Sequence, residues 1–274
     1  MLNRTIKTLA VLTLCALPFA TAFAQRPAAN AAPPAPAPRT SDGRISFGPP
    51  EGKVGFWVRR TANLAINPQS YEAAASQRAP IHIKDIPLQD WARALTNFRH
   101  TLFLASEPYT RCKPAGGPRQ IMSPYGFEIV DMPELQRVYI VTTSNAMTYR
   151  IIYMDGRGHP AKLQPSYFGH SIGHWDGDTL VVDSVGYNEK SWLNRDGLPT
   201  TDRLHLTERF TRSNMNTLDY KITVDDPGAY TAPWESGYTV GWTPNEELFE
   251  YVCQENNLSP DQMIGKGRYS TIVP

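Results

Sequence analysis

The chain is poor in the features that usually announce a function. No charge of one sign accumulates, since the formal net charge is +1. That argues against a dedicated nucleic-acid binder, which carries a basic stripe. There is no Walker loop, no G-x-S-x-G elbow and no HExxH helix. Nothing alternates strand with helix in the βαβ rhythm of dinucleotide folds, so no nucleotide cofactor is implied. No run reaches the roughly 18 apolar residues of an ordinary membrane span, so no membrane insertion of the mature chain is expected. Cysteine is scarce, with 3 residues in 274. Proline is not: 24 residues, about twice the usual ~5%.

The N-terminus reads as an address. Arg4 and Lys7 form a basic region, Leu9–Phe19 an apolar one, and Ala22-Phe23-Ala24 a small-x-small cleavage site. Residues 1–24 are therefore predicted to be a secretory signal peptide, and the mature protein to be periplasmic or secreted. A lipid anchor at Cys15 is the rival, disfavoured because Leu12-Thr13-Leu14 puts a large Leu where a small residue is expected and the apolar region would be cut to a few residues. Two basic residues and no acid leave with residues 1–24, which turns the net charge to −1. Cys15 leaves too. Cys112 and Cys253 remain, and in an oxidising compartment they suggest one disulfide. Two separate buried thiols and a nucleophilic thiol stay open as alternatives.

Residues 25–44 form an Ala/Pro-rich stretch that reads as an extended tether, and 45–274 as a single β-rich domain. One amphipathic helix is predicted within 87–104, where Leu88, Trp91, Leu95, Phe98 and Leu102 make one apolar stripe expected to face the core. From residue 125 onward the pattern is short strands separated by turn residues: 127–132, 137–143, 149–154, 169–175, 179–187, 204–212, 217–225, 238–243 and 248–254. Sequential strands with tight turns predict an all-β fold, mainly antiparallel, closing as a lipocalin-like up-and-down barrel or folding as a sandwich. The apolar segment at 54–58 and a short strand at 81–84 find no place in that sheet.

The strings GHSIGHWDGDTLVVDSVGYNEKSWL (169–193), LHLTERF (204–210), TVDDPGAYTAPW (223–234) and EELFEYVCQENN (246–257) occur in this order. With RCKPAGGPRQ (111–120) and IYMDGRGHP (152–160), they make residues 80–274 resemble a widespread group of uncharacterised, secreted bacterial proteins. The resemblance implies location and a β-rich fold, and leaves activity open.

The segment 169–187 carries the first chemical clue. With Asp176-Gly177 as a two-residue turn, His170 falls opposite Asp183, with His174 further along the same face and Trp175 on the other. A histidine beside a carboxylate suits general acid–base work. A structural contact is the plainer explanation. His170 and His174 are about 13 Å apart along a regular strand, too far to clamp one ion, so no metal is assigned. In 204–210, Glu208 shares an apolar face with Leu204, Leu206 and Phe210, opposite a strand that carries Tyr220. A carboxylate there must be paired, protonated or wet, and Arg157 or Arg150 is the expected partner. Arg157 and His159, in the turn at 155–160, and Tyr153 beside it are candidate ligand-binding residues.

Two functions fit these signals. One is a barrel that binds an apolar or aromatic small molecule in an internal cavity, lined by residues such as Tyr153, Trp175 and Tyr220. The other is a cofactor-free acid–base enzyme of lyase, isomerase or hydrolase type, with His170, Asp183 and Glu208 converging on one point. The second requires all three side chains to face one pocket.

Overall fold

The structure is a computed structural model that describes residues 33–58, 65–66, 81–102, 107–143 and 148–253. The predicted signal peptide and the first part of the tether lie outside the described residues. Eleven strands are seen among the described residues: β1 (Gly55–Val58), β2 (Ala65–Ile66), β3 (Ile81–His82), β4 (Phe127–Met132), β5 (Arg137–Thr142), β6 (Thr148–Tyr153), β7 (His170–Asp176), β8 (Thr179–Val185), β9 (His205–Asn214), β10 (Thr217–Asp225) and β11 (Trp234–Pro244). Nine of them close a barrel in the order β1-β11-β10-β9-β8-β7-β6-β5-β4, and β2 and β3 form a separate parallel pair.

The closed barrel is mixed rather than a pure up-and-down meander. β6 and β7 run parallel, pairing Ile152 with Ser171 and Tyr153 with Ile172. A parallel connection has to travel back along the sheet and needs a dozen or more residues. Residues 154–169 make it. The C-terminal segment 248–253 forms no strand, and Gln254 lies outside the described residues.

Alternation decides the two faces. Leu180, Val182 and Ser184 of β8, Leu206, Glu208 and Phe210 of β9, and Leu218 and Tyr220 of β10 have no accessible surface. They point inward, into the barrel. One end, near Leu206 and Trp234, is covered by helix α1 (Asp90–Thr101) and the residues before it, with Leu88 bridged to Tyr230. The helix buries Ala92 and Thr96. Trp91 and Phe98, expected in the core, are instead 47% and 58% exposed. The indole of Trp91 lies along the surface and donates its N–H to Gly228 O.

The other end is covered by residues 45–49. Trp57 Nε1 donates to Phe47 O at 2.8 Å, and Phe47 stacks on Trp175. Arg212 donates to the carbonyls of Ser46, Gly48 and Met215. The tether also shortens. Ala35 O accepts from the Met215 N–H, Arg39 pairs with Asp178 and Arg44 with Asp131, so residues 35–44 lie on the barrel wall. Cys112 and Cys253 form a disulfide with Cα atoms 5.5 Å apart.

Candidate functional site

The β7–β8 turn sets the site. The chain offers Asp-Gly and Gly-Asp in succession at 176–178, and the second is used: Gly177 takes a positive φ of 58°, and Asp176 pairs with Thr179. The expected register is therefore corrected by two residues. His170 pairs with Val185 and Asp183 with Ile172. A two-residue shift keeps every side chain on its face, so His170 and Asp183 both point outward as diagonal neighbours.

What joins them is the crossover. Residues 154–169 pass over the outer face of the barrel and drop His159 between the two strands. His159 Nδ1 lies 2.8 Å from His170 Nδ1, and His159 Nε2 lies 2.8 Å from Asp183 Oδ1. The second Asp183 oxygen is 2.7 Å from His205 Nε2, at the start of β9. The result is one continuous chain, His170–His159–Asp183–His205. Tyr153 stacks on His170 at 5.2 Å between ring centres, and Arg157, paired with Asp155, lies over Tyr153 at 4.3 Å.

The proton positions follow from the acceptor at the centre. Asp183 titrates below the usual carboxylate range: burial pushes it up, but hydrogen bonds from His205 and His159 outweigh that. Ionised, it only accepts, so His159 and His205 each donate Nε2–H. A His159 ring that carries a single proton, on Nε2, has a bare Nδ1, which accepts the Nδ1–H of His170. His170 is left with its Nε2 lone pair, which has no partner among the described residues and is not sealed from solvent. Burial, then His159, then Arg157 lower the His170 pKa, so the ring stays neutral at pH 7 and can take up a proton. Among the described residues, neither His170 nor His159 bonds to a serine, threonine or cysteine. No group of three or more His, Cys, Asp or Glu among the described residues is arranged to hold a metal ion; His159 has both ring nitrogens committed to hydrogen bonds.

Glu208 is not part of this chain. It points into the barrel, where it pairs with Arg150 and accepts from Tyr220 Oη at 2.9 Å. Arg150 also donates to Ser171 Oγ at 2.9 Å and Ser184 Oγ at 2.8 Å. The expected convergence of His170, Asp183 and Glu208 on one pocket is thus corrected, because the sheet separates them. Of the other candidate residues, Tyr153, Arg157 and His159 join the outer group and Tyr220 the inner one. His174 is outward but two pairs along toward the turn, and Trp175 packs at the end of the barrel on Phe47. His205 is the member missed in the sequence. It was legible: with Leu204, Leu206 and Glu208 inward, His205 must face outward beside β8.

No protein family, curated protein or solved structure matches the chain.

Proposed function

We propose that this protein is a cofactor-free acid–base enzyme whose site lies on the outer face of the barrel, beneath the crossover. His170 Nε2 is the general base. The observation that carries this reading is the unbroken chain from a solvent-reaching, neutral imidazole to an ionised carboxylate. A proton accepted at His170 Nε2 lets the Nδ1–H shift toward His159, whose positive charge faces Asp183 directly. Asp183 and His205 are positioning residues that fix the tautomers. Chemistry of this kind is proton transfer next to an electron-withdrawing group, of isomerase or lyase type, or activation of a water.

The internal-cavity reading has less behind it, because the inward side chains of β8, β9 and β10 already include Glu208, Tyr220 and Phe210 with no accessible surface. A disulfide and the leader-like N-terminus support export to the periplasm or beyond. The test is proton exchange in D2O, using a panel of carbonyl compounds with acidic C–H bonds. His170→Gln should lower the exchange rate by 10²–10⁴-fold and Asp183→Asn by less, and Glu208→Gln should leave it intact wherever the fold survives. A rate insensitive to His170→Gln would sink the assignment.

A further inference from the structure

The barrel closes badly at one place. β1 pairs with β11 over four residues, Gly55 to Val58, but touches β4 through a single pair, Trp57 with Phe127. Beyond Phe127, β4 pairs only with β5, and no backbone hydrogen bond between described residues spans the gap from Glu128 to Met132 on its other edge. Sheet closure normally satisfies such an edge. Here residues 40–49 run past it instead, fastened by Arg44 to Asp131 and by Arg212 to Ser46 and Gly48.

A cavity of about 330 Å³ remains in the seam. That is within the ~300–1,000 Å³ of small-molecule sites. Its apolar walls are Phe47 and Pro49 from the covering segment, Ile129 and Val130 of β4, and the Trp242 ring of β11, with Thr40 and Ser46 adding hydroxyls. Gly55 lets the Trp242 ring lie against the chain there, since a Cβ would fall 2.5 Å from the ring. The charged groups in the lining are both carboxylates, Glu128 and Asp131. Asp131 is neutralised by Arg44. Glu128 has no hydrogen-bond or ion-pair partner among the described residues, and Glu247 adds a repelling charge beside it. A half-buried carboxylate without a partner, at the edge of an apolar cavity, is costly unless something positive covers it.

We infer that the seam cavity binds a small organic cation: an ammonium head at Glu128, with an apolar or aromatic body against Trp242 and Phe47. The charge selects the head and the walls select the body. The site is separate from the histidine chain, which lies on β6–β9, so either assignment can fail without the other.

The discriminating probes are three molecules of one shape and three charges: phenethylamine, 2-phenylethanol and phenylacetate. Titration at pH 7.5 by calorimetry, with the indole and imidazole signals followed by NMR, reads both affinity and place. The amine should bind at least tenfold more tightly than the alcohol, with phenylacetate weakest, and should move the Trp242 indole signal while leaving His159 and His170 unmoved. Glu128→Gln should erase the tenfold preference and keep the alcohol's affinity. Val130→Trp, which fills the cavity from an already exposed position, should weaken amine and alcohol alike by tenfold or more at an unchanged melting temperature. Equal or tighter binding of phenylacetate, no amine binding at 10 mM, or a response at the histidines in place of Trp242 would overturn the assignment.

Discussion

Removing Glu208 should be among the most damaging single substitutions in the chain, for a reason unrelated to catalysis. The carboxylate has no accessible surface and is paired with Arg150, itself sealed inside the barrel. Burial alone lowers the Arg150 pKa, but the Glu208 charge more than restores it, so the guanidinium stays charged at any ordinary pH. Glu208→Ala leaves that charge unpaired, at about 3–5 kcal/mol. It also takes the acceptor from Tyr220 Oη, at about 1–3 kcal/mol. The two penalties overlap, so roughly 4–6 kcal/mol is expected, from a total of about 5–15 kcal/mol.

Replacing the whole group tests the reasoning. In Arg150→Met/Glu208→Leu/Tyr220→Phe no charge or hydroxyl of the trio is left behind, and Ser171 and Ser184 still bond to each other at 2.9 Å. That triple variant should fall within about 1.5 kcal/mol of wild type, as for other buried ion pairs exchanged for apolar groups. Urea unfolding followed by far-UV circular dichroism measures each variant. In a scan, Glu208→Ala should melt roughly 8–24 °C lower, at about 2–4 °C per kcal/mol. If Glu208→Ala costs less than about 1 kcal/mol, or the triple variant costs as much as the single one, the stranded Arg150 charge is not the source of the loss.

Four further outcomes are expected. Acidification should remove stability in two windows: His170 titrates below its ordinary 6.5 when folded, so the unfolded chain takes the proton first and its contribution, full above about pH 6.5, fades as pH falls; Asp183 titrates below 3.8 when folded, so its contribution is lost only below about pH 4. Difference profiles of His170→Gln and Asp183→Asn against wild type should each lack one window. Long-range ¹H–¹⁵N spectra at pH 7.5 should show His159 and His205 protonated at Nε2 and His170 at Nδ1, with Asp183→Asn scrambling that pattern; an Nε2–H tautomer at His170 would remove the base. Cys112→Ser/Cys253→Ser reopens a loop with a sequence separation of 141 and should cost up to about 5 kcal/mol in the chain-entropy estimate, read by calorimetry. In Gly116→Ala the new Cβ would lie 1.7 Å from Tyr167 O, so the crossover must shift, and the His159 resonances should move even if the barrel stays folded.

Strand positions were the legible part. β4 and β10 run over the bounds that alternation predicts, 127–132 and 217–225. Inward apolar and outward polar residues alternate there, and short turns fix the ends. Register was less legible, because Asp176-Gly177-Asp178 holds two overlapping turn signals, and the one used places Trp175 opposite Leu180. The α1 stripe misled because spacing shows that apolar residues share a face and says nothing of which face is covered; here the small Ala92 and Thr96 sit closest to the barrel. Composition misled at 35–44, where an Ala/Pro tract carries two arginines, Arg39 and Arg44, whose acidic partners, Asp178 and Asp131, lie far along the chain. The ion pair was half legible: Arg150 was one of two named partners for Glu208, and the face decided it, since Arg150 points into the barrel and Arg157 lies outside, paired with Asp155.

The one departure from a simple meander is also what assembles the outer site. Had β6 joined β7 through a tight antiparallel turn, nothing would cross the outer face, and His170 and Asp183 would be diagonal neighbours with no group between them. The parallel step forces residues 154–169 to travel back over β7 and β8. His159, in the middle of that path, supplies the two ring nitrogens that join base to carboxylate. The barrel wall contributes the fixed members, one each from β7, β8 and β9, and the loop the connecting one. The packed, ion-paired interior holds those three strands rigid, which is what a chain of hydrogen bonds under 3 Å requires. Interior and exterior therefore occupy separate faces of the sheet, and a substitution at Glu208 that slows the proposed proton transfer should do so only in proportion to the protein it unfolds.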